Sequence, residues 1–431
     1  MRRSDGILPA PPRHPLLDTV MNRLVALCVA SLLLACGGSK PEQKPDESPS
    51  APAEKAPAAT DFKAMLAREK PAMALQSVAS TEGGFTAAVE GAGPPTVKQI
   101  APAVTSVSVP IGSGTPVVCN VYAQDIDGAG SIRGIIHEVK DRVEPRSVRV
   151  VDIDVVRTSP TLAVEMDYTV MQNGRKAAGR LKLTSWSNDG LGVICMHDEM
   201  GYRKTLQRIM RGFIETLTVQ DAPEPPRYVE VHVVRINGNP MGYERVSLAN
   251  GEHGRTIYTS TEASFINRGG ADFIASDDLR VEVTEADGAL VSLVAVKASG
   301  GEVELRMTLE RVPAGGFTYA GVVSGKDLKG ELPLAEGQPL SSNVRMMRQL
   351  VSVADGGSAE QKASYYVASV SPTAPVPVTL RKGAAPRQVL FNLQDKEMTM
   401  VVDGAGLVER SELLIGSATL STERIFTLGK P

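Results

Sequence analysis

Residues 162–186 read LAVEMDYTVMQNGRKAAGRLKLTSW and contain the clearest fold signal in the chain. On both sides of the Asn173-Gly174 dipeptide, apolar and polar residues alternate, which is the period of a half-buried strand. An Asn-Gly pair between two such runs is typical of a tight hairpin turn. This segment therefore predicts an antiparallel sheet.

Similar runs surround this hairpin, and two helices accompany them. Strand-like patterns cover residues 104–110, 116–122, 147–156 and 191–197. Ser131 is a candidate cap for a helix with Ile132 and Ile136 on one face. Residues 201–217 carry apolar side chains at helical spacing, so we expect this helix to pack on the sheet. Residues 61–221 are therefore predicted to form an α+β sandwich domain.

The character of the chain changes after the Pro-rich stretch 221–226, which predicts a domain boundary. From 227 to 431, alternating strands are separated by turn pairs such as Asp287-Gly288 and Gly300-Gly301. This pattern is typical of an antiparallel meander, with one helix predicted near 341–353. The predicted fold class is α+β with two domains, an antiparallel sheet with packed helices followed by a mostly β meander or half-barrel.

A short apolar segment near the amino terminus predicts export. From Met21 the chain has a charged start, an apolar run over residues 24–34 and the sequence Leu33-Leu34-Ala35-Cys36. The run is too short for a helix that crosses a bilayer, which needs roughly 20 residues. The segment resembles the lipobox of bacterial lipoprotein signal peptides. The resemblance implies removal of residues 1–35 and lipidation of Cys36, with Met21 as the expected start of translation. An ordinary signal peptide cut elsewhere is the alternative.

The same resemblance predicts where the protein resides. Gly37, in place of an aspartate after the acylated cysteine, favours the outer membrane, with the body facing either the periplasm or the cell surface. Residues 36–60 are rich in Pro, Ala and Ser and are predicted to be a disordered tether. As a random coil this segment would span roughly 25 to 30 Å, and about 70 Å when extended. The predicted partner is therefore the membrane itself, to which the lipid on Cys36 attaches the protein.

Charge and cysteine content bear on two questions, whether nucleic acid is a partner and whether the chain contains a disulfide. Loss of residues 1–35 leaves 42 basic and 47 acidic residues, and no clustered basic surface that would favour nucleic acid as a partner. Cys28 leaves with the signal and Cys36 takes the lipid, so Cys119 and Cys195 remain. In an oxidising compartment they predict a disulfide, which stabilises a domain by up to about 4 kcal/mol. Two buried free thiols are the alternative.

Two further resemblances concern the folded regions. The N-terminal region resembles the PsbP/DcrB-like sandwich through residues 107–112, the Asn173-Gly174 hairpin and Gly201-Tyr202 before its last helix. The C-terminal region resembles the curved β-sheet of periplasmic lipoprotein carriers, or the β-rich part of transglutaminase-like lipoproteins, on residues 401–408. These resemblances imply accessory envelope roles and a sheet that holds an acyl chain or another protein. The catalytic half of the transglutaminase-like pattern is missing.

The sequence contains no catalytic, metal or cofactor motif. Four widely separated histidines, His137, His197, His232 and His253, do not form a zinc pattern. Residues 125–128 lack the later ligands of a calcium loop and are predicted to be a turn. We therefore predict no cofactor, no metal, no catalytic residues and no enzymatic activity. The expected function is a non-catalytic binding or scaffold protein of the cell envelope that holds a hydrophobic ligand or an envelope protein. An envelope hydrolase with a carboxylate site is the alternative, as is a purely structural interaction module.

Substitution of Cys36 by Ser tests the predicted export route. Because serine lacks the sulfur that accepts the lipid, we expect Cys36→Ser to remain an uncut, unacylated precursor. Immunoblot mobility and metabolic labelling with a fatty acid measure both events. Normal maturation of the Cys36→Ser chain would contradict the prediction, and Cys28→Ser is the matched control that should mature normally.

Overall fold

The computed structural model describes residues 62–431 apart from 173, 189, 220–223, 314, 335–339 and 395. Of these described residues, 59% lie in strands and 13% in helices, so the fold is mostly β. The predicted signal peptide and tether, with Cys36, lie outside the described residues. No helix within the described part of the chain is both long and apolar enough to cross a membrane.

The first large sheet has seven antiparallel strands. Their spatial order is β3 (Thr96–Ala101), β4 (Val104–Val109), β5 (Val117–Tyr122), β9 (Leu191–His197), β8 (Arg175–Asn188), β7 (Ser159–Gln172) and β6 (Glu144–Val156). β7 and β8 form the predicted hairpin, in which Gln172 pairs with Arg175. A separate three-stranded sheet consists of β1 (Leu75–Ser80), β2 (Phe85–Glu90) and β10 (Thr218–Val219), which the sequence patterns did not predict.

Helices cover both faces of the seven-stranded sheet. A short helix α1 (Phe62–Leu66) precedes β1, α2 (Gly128–Lys140) follows β5 and α3 (Arg203–Thr216) follows β9. α3 buries Leu206, Ile209 and Phe213 in a cluster on one face of the sheet. α2 buries Ile132 and Ile136 in a second cluster on the opposite face. The predicted apolar faces of both helices are therefore the ones that pack.

The predicted disulfide is confirmed. Cys119 on β5 and Cys195 on β9 are directly opposite in the antiparallel register, and their sulfur atoms are bonded. Both residues are fully buried beneath α3. The bond therefore links two central strands of the sheet, and the alternative of free thiols does not hold.

The second large sheet has fifteen strands. Their spatial order is β18 (Lys326–Leu332), β17 (Phe317–Val323), β16 (Glu302–Arg311), β15 (Leu290–Ser299), β14 (Asp272–Thr284), β13 (Thr256–Gly269), β12 (Asn239–Asn250), β11 (Tyr228–Ile236), β25 (Ala418–Gly429), β24 (Val408–Ile415), β23 (Lys396–Val402), β22 (Gln388–Leu393), β21 (Val376–Lys382), β20 (Glu360–Tyr365) and β19 (Leu340–Ser341). All neighbours are antiparallel except β19 and β20. A 3₁₀ turn (Glu252–Gly254) joins β12 to β13.

This sheet surrounds the helix α4 (Asn343–Ala354), which lies close to the predicted range 341–353. On one side Leu350 and Val353 pack against β21 to β23. On the other side Met347 packs against Tyr228 of β11 and Leu248 of β12. Since strands from distant parts of the sheet contact one helix, the sheet must bend around α4.

The two large sheets share one apolar core. The cluster beneath α2 includes side chains of the first sheet, such as Leu162 and Leu183, together with Tyr243, Phe265 and Ala275 of the second. The predicted boundary at 221–226 therefore separates two sheets along the chain, and both sheets contribute to this cluster.

The start of α2 differs from the prediction. The helix begins at Gly128, a turn earlier than a cap at Ser131 would place it, and Asp127 is the preceding residue. Asp277 on β14 accepts hydrogen bonds from the N–H groups of Ala129 (2.9 Å) and Gly130 (2.6 Å). A residue far along the chain thus satisfies the free N–H groups of the first turn, which no local sequence signal could reveal.

Gly406 tests the packing of the second sheet around α4. It has a φ of +81°, and a Cβ there would overlap the carbonyl oxygen of Met347 and the side chain of Val351. We expect Gly406→Ala to lower the free energy of unfolding by about 2 kcal/mol or more, because strain and overlap add. Urea unfolding measures the change. Gly404→Ala, which meets nothing within 4 Å, is the control, and equal effects of the two substitutions would contradict the described packing.

Candidate functional site

Six ionisable side chains form a continuous row across the second sheet. Pairing in register places them on one face of six neighbouring strands. The row runs Arg424, His232, Glu244, Glu262, Asp278 and Lys297, on β25, β11, β12, β13, β14 and β15 respectively. We call this set the ionisable row. Its centre consists of three carboxylates on adjacent strands, an arrangement in which like charges repel.

The ionisable row lies on the face that the sheet turns toward α4. Tyr228, Leu248 and Tyr258 belong to this face of β11 to β13, and they pack with Met347 of α4. The opposite face carries Tyr243 and Phe265, which belong to the core shared with the first sheet. Strand alternation therefore places the carboxylates inside the bend of the second sheet.

A cavity of about 160 Å³ opens at the end of the ionisable row that Lys297 occupies. Glu262, Asp278 and Lys297 line it together with Ser260 and Arg280. Its remaining lining residues are Leu279, Ala295, Val296, Leu305, Val367, Ala368 and Ser369. The walls thus combine charged groups from three strands, β13 to β15, with the segment that follows β20.

Burial and mutual repulsion change the acidity of the central carboxylates. Burial raises the pKa of Glu262 to about 7, with a further rise from the charges of Glu244 and Asp278, and Lys297 opposes it. Burial also raises the pKa of Asp278, and Lys297 acts in the opposite direction. Glu262 can therefore exchange a proton near neutral pH.

One cation faces this group of acids from within the row. The Nζ atom of Lys297 lies 3.4 Å from Oδ2 of Asp278, and both side chains are more than one third exposed. The guanidinium of Arg280 is already paired with the buried Glu282 at 2.6 Å. Lys297 is therefore the one cation among the described residues of the cavity lining that faces Glu262 and Asp278 without a second carboxylate partner of its own.

Three buried polar atoms of the ionisable row have no hydrogen-bond partner within the described residues. They are Oδ1 of Asp278, Nδ1 of His232 and Nη1 of Arg424. His232 is only 3% exposed, and its Nε2 lies 3.4 Å from Glu230. An unpaired buried polar atom destabilises a fold by about 1 to 3 kcal/mol. Among these residues, Asp278 lines the cavity, which is where a bound group would complete the hydrogen bonding.

The far end of the ionisable row is a closed ion-pair cluster. Arg424 lies 3.5 Å from Glu230 and 2.9 Å from Asp403, and Tyr228 donates a hydrogen bond to Glu230 at 2.9 Å. Burial raises the pKa of Tyr228, so its hydroxyl stays a donor. The charged groups at this end are paired with one another, whereas the other end of the row opens to the cavity.

A larger, shallow cleft of about 500 Å³ lies on the first sheet. Its lining residues include Val143, Glu144, Met171 and Lys176. A hydrogen bond from Thr169 holds the pKa of Glu144 below its usual value, with Arg146 and Lys176 nearby. These charges already pair with one another, so we regard the ionisable row as the stronger candidate.

The structure brings together few of the residues that the sequence analysis singled out. Cys36 lies outside the described residues, and Cys119 and Cys195 form a structural disulfide beneath α3. Within the described part of the chain, no three or more His, Cys, Asp or Glu residues are grouped so that they could hold a metal ion. The ionisable row was missed, although the alternation of Ser260, Glu262 and Ser264 with apolar Ala263 and Phe265 indicated a polar strand face.

Comparisons with known proteins give no family. No family model matches the chain, and no curated protein matches it. A crystal structure of a β-barrel-like protein of the domain of unknown function DUF1849 from Brucella abortus is 11% identical and has a TM-score of 0.38, covering 48% of this chain and 98% of that one. A DUF1089 family protein from Pseudomonas aeruginosa is 18% identical with a TM-score of 0.19, covering 44% and 92% respectively. At such low values these likenesses assign no function.

The pH dependence of stability tests the raised pKa of Glu262. A carboxyl group whose pKa is higher in the folded state than in the unfolded state lowers stability as pH rises, here between about 4.5 and about 7. We expect Glu262→Gln to remove this loss, so that the variant gains about 1 to 3 kcal/mol over the wild type between pH 5 and pH 7.5.

Urea unfolding at a series of pH values measures the difference. Glu412→Gln on β24 changes an exposed carboxylate and should follow the wild-type curve. Parallel curves for Glu262→Gln and the wild type would show that Glu262 titrates normally.

Proposed function

We propose that this chain is a lipid-anchored protein of the outer membrane whose folded body is a non-catalytic binding protein of the cell envelope. Its recognition site is the cavity at the ionisable row, and the group it recognises is positively charged. The observation that carries this proposal is the row of three adjacent carboxylates, Glu244, Glu262 and Asp278, of which the last two line the cavity beside the ammonium of Lys297.

The proposed anchor rests on the lipobox-like segment that ends at Cys36. The Pro-rich tether would then let the body stand tens of ångströms from the membrane surface. The buried disulfide between Cys119 and Cys195 supports an oxidising compartment outside the cytoplasm. Both features fit an envelope protein that reaches a partner while it stays attached to the membrane.

We also propose that the first region is a PsbP/DcrB-like α+β sandwich and that 227–431 is a separate β-rich domain. A seven-stranded antiparallel sheet closed by α3 supports the first part of this proposal. The core that the two sheets share means that they would act as one body.

The cavity favours a positively charged group over an acyl chain. Its walls include the carboxylates of Glu262 and Asp278, and covering charged groups with hydrocarbon is unfavourable. A volume of about 160 Å³ is below the roughly 300 to 1,000 Å³ of sites that enclose a whole small molecule. The cavity therefore suits a head group, such as the ammonium end of a lysine side chain presented by an envelope protein.

A pair of small probes tests the proposal directly. The first probe is lysine blocked as its Nα-acetyl N-methylamide, which keeps a free ε-ammonium. The second is the norleucine analogue, which lacks that ammonium. We expect the lysine probe alone to bind, and Glu262→Gln with Asp278→Asn to weaken binding about tenfold or more, since a charge-assisted hydrogen bond contributes about 1.5 to 3 kcal/mol. Titration followed by nuclear magnetic resonance measures the dissociation constants of the full chain in detergent.

The control variant is Glu412→Gln, whose affinity should equal that of the wild type. Binding should also weaken as salt is raised, because the cavity is partly exposed. Equal affinity for the two probes, or no effect of the double substitution, would reject a site for positively charged groups.

The raised pKa of Glu262 favours a second candidate, an envelope hydrolase. A carboxyl group with a pKa near 7 beside an ionised carboxylate is the arrangement that general acid catalysis needs. Turnover of a chromogenic ester or glycoside by the wild type, abolished in Glu262→Gln, would support the hydrolase in place of the binding protein.

A further inference from the structure

The cavity beside the ionisable row is lined by charges of both signs. Among its described lining residues, Glu262 and Asp278 supply carboxylates, and Arg280 and Lys297 supply cations. Asp278 and Arg280 are two positions apart on β14, so their side chains project from the same face of the strand. A ligand with a positive charge alone would therefore use only one half of the charged lining.

The pairing of Asp278 with Lys297 restricts what the cavity can bind. The Nζ atom of Lys297 lies 3.4 Å from Oδ2 of Asp278, and both side chains are partly exposed. A ligand ammonium that takes Asp278 as its partner also approaches the ammonium of Lys297, and like charges repel. A carboxylate on the same ligand removes this conflict, because it gives Lys297 a partner of its own.

Arg280 adds a second donor to the positive side of the lining. Its Nε atom donates a hydrogen bond to Glu282 and its Nη1 atom donates one to the carbonyl oxygen of Tyr366, each at 2.8 Å. The buried Nη2 atom is also close to Glu282, at 2.6 Å, but it makes no hydrogen bond to an acceptor among the described residues. Since a guanidinium presents N–H donors on all three nitrogens, Arg280 retains a donor that a carboxylate can use.

We propose that the cavity binds a zwitterionic α-amino acid group, whose ammonium lies at the two carboxylates of the lining and whose carboxylate lies at its two cations. This inference rests on the proposed function and specifies that the positively charged group also carries a negative charge. The unpaired Oδ1 of Asp278 then accepts from the ligand ammonium. The remaining walls are largely apolar, which suits an aliphatic side chain on the ligand.

Three small compounds separate the two charges. Norleucine carries both groups, pentylamine lacks its carboxylate, hexanoate lacks its ammonium, and all three keep the same alkyl chain. We expect norleucine to bind about tenfold or more tightly than either of the others, because charge-assisted hydrogen bonds form at both ends of the zwitterion. Nuclear magnetic resonance titration of the full chain in detergent at pH 7.5 measures the dissociation constants.

Two substitutions assign the charges to the residues. Lys297→Gln should weaken the binding of norleucine about fivefold or more and should not weaken that of pentylamine, which then meets one repelling charge fewer. Asp278→Asn should weaken norleucine and pentylamine and should not weaken hexanoate. Both side chains are more than one third exposed, so neither substitution leaves a deeply buried charge unpaired. Glu412→Gln is the control and should keep all three affinities.

The outcomes separate this inference from the proposed function. Equal affinities for norleucine and pentylamine, or weaker binding of pentylamine to Lys297→Gln, would overturn the zwitterion and leave a site for positively charged groups. If neither norleucine nor pentylamine binds, both proposals fail.

Discussion

The apolar core beneath α2 is the interaction on which the rest of the structure depends. Its side chains come from the first sheet, from α2 and from β12 to β14 of the second sheet. This core buries the side chains on one face of β12, β13 and β14. Because side chains alternate along a strand, the remaining ones point to the other face, which is the interior of the bend around α4. A shift of one residue in any of these strands would exchange the core side chains for carboxylates. The register is therefore strongly specified.

The same constraint produces the unusual electrostatics of the second sheet. Glu244, Glu262 and Asp278 occupy the only face left to them, and pairing in register places them side by side. Burial and repulsion make their ionisation unfavourable. The packing of the sheet on α4 and in the shared core offsets this loss of stability. Interactions that raise the pKa of a carboxyl group in this way lower stability at neutral pH, so a binding role offers a physical reason for their presence.

Local patterns predicted much of the fold. The β7–β8 hairpin, the apolar faces of α2 and α3, the position of α4 and the pairing of Cys119 with Cys195 all follow from short-range periodicity, turn chemistry and cysteine count. The early strands β1 to β3 were missed because their mixed small and polar residues give weak alternation. The start of α2 was misplaced because its first N–H groups bind Asp277 from another sheet.

By itself, the sequence determined which segments become strands and helices and which face of each is apolar, because those properties depend on residues a few positions apart. Only the tertiary structure decided that Arg424, His232, Glu244, Glu262, Asp278 and Lys297 form one row, and that Asp277 accepts hydrogen bonds from the first turn of α2. These neighbours are separated by long stretches of chain, and their proximity results from strand register and from the shared core. Neither has a local signature in the sequence.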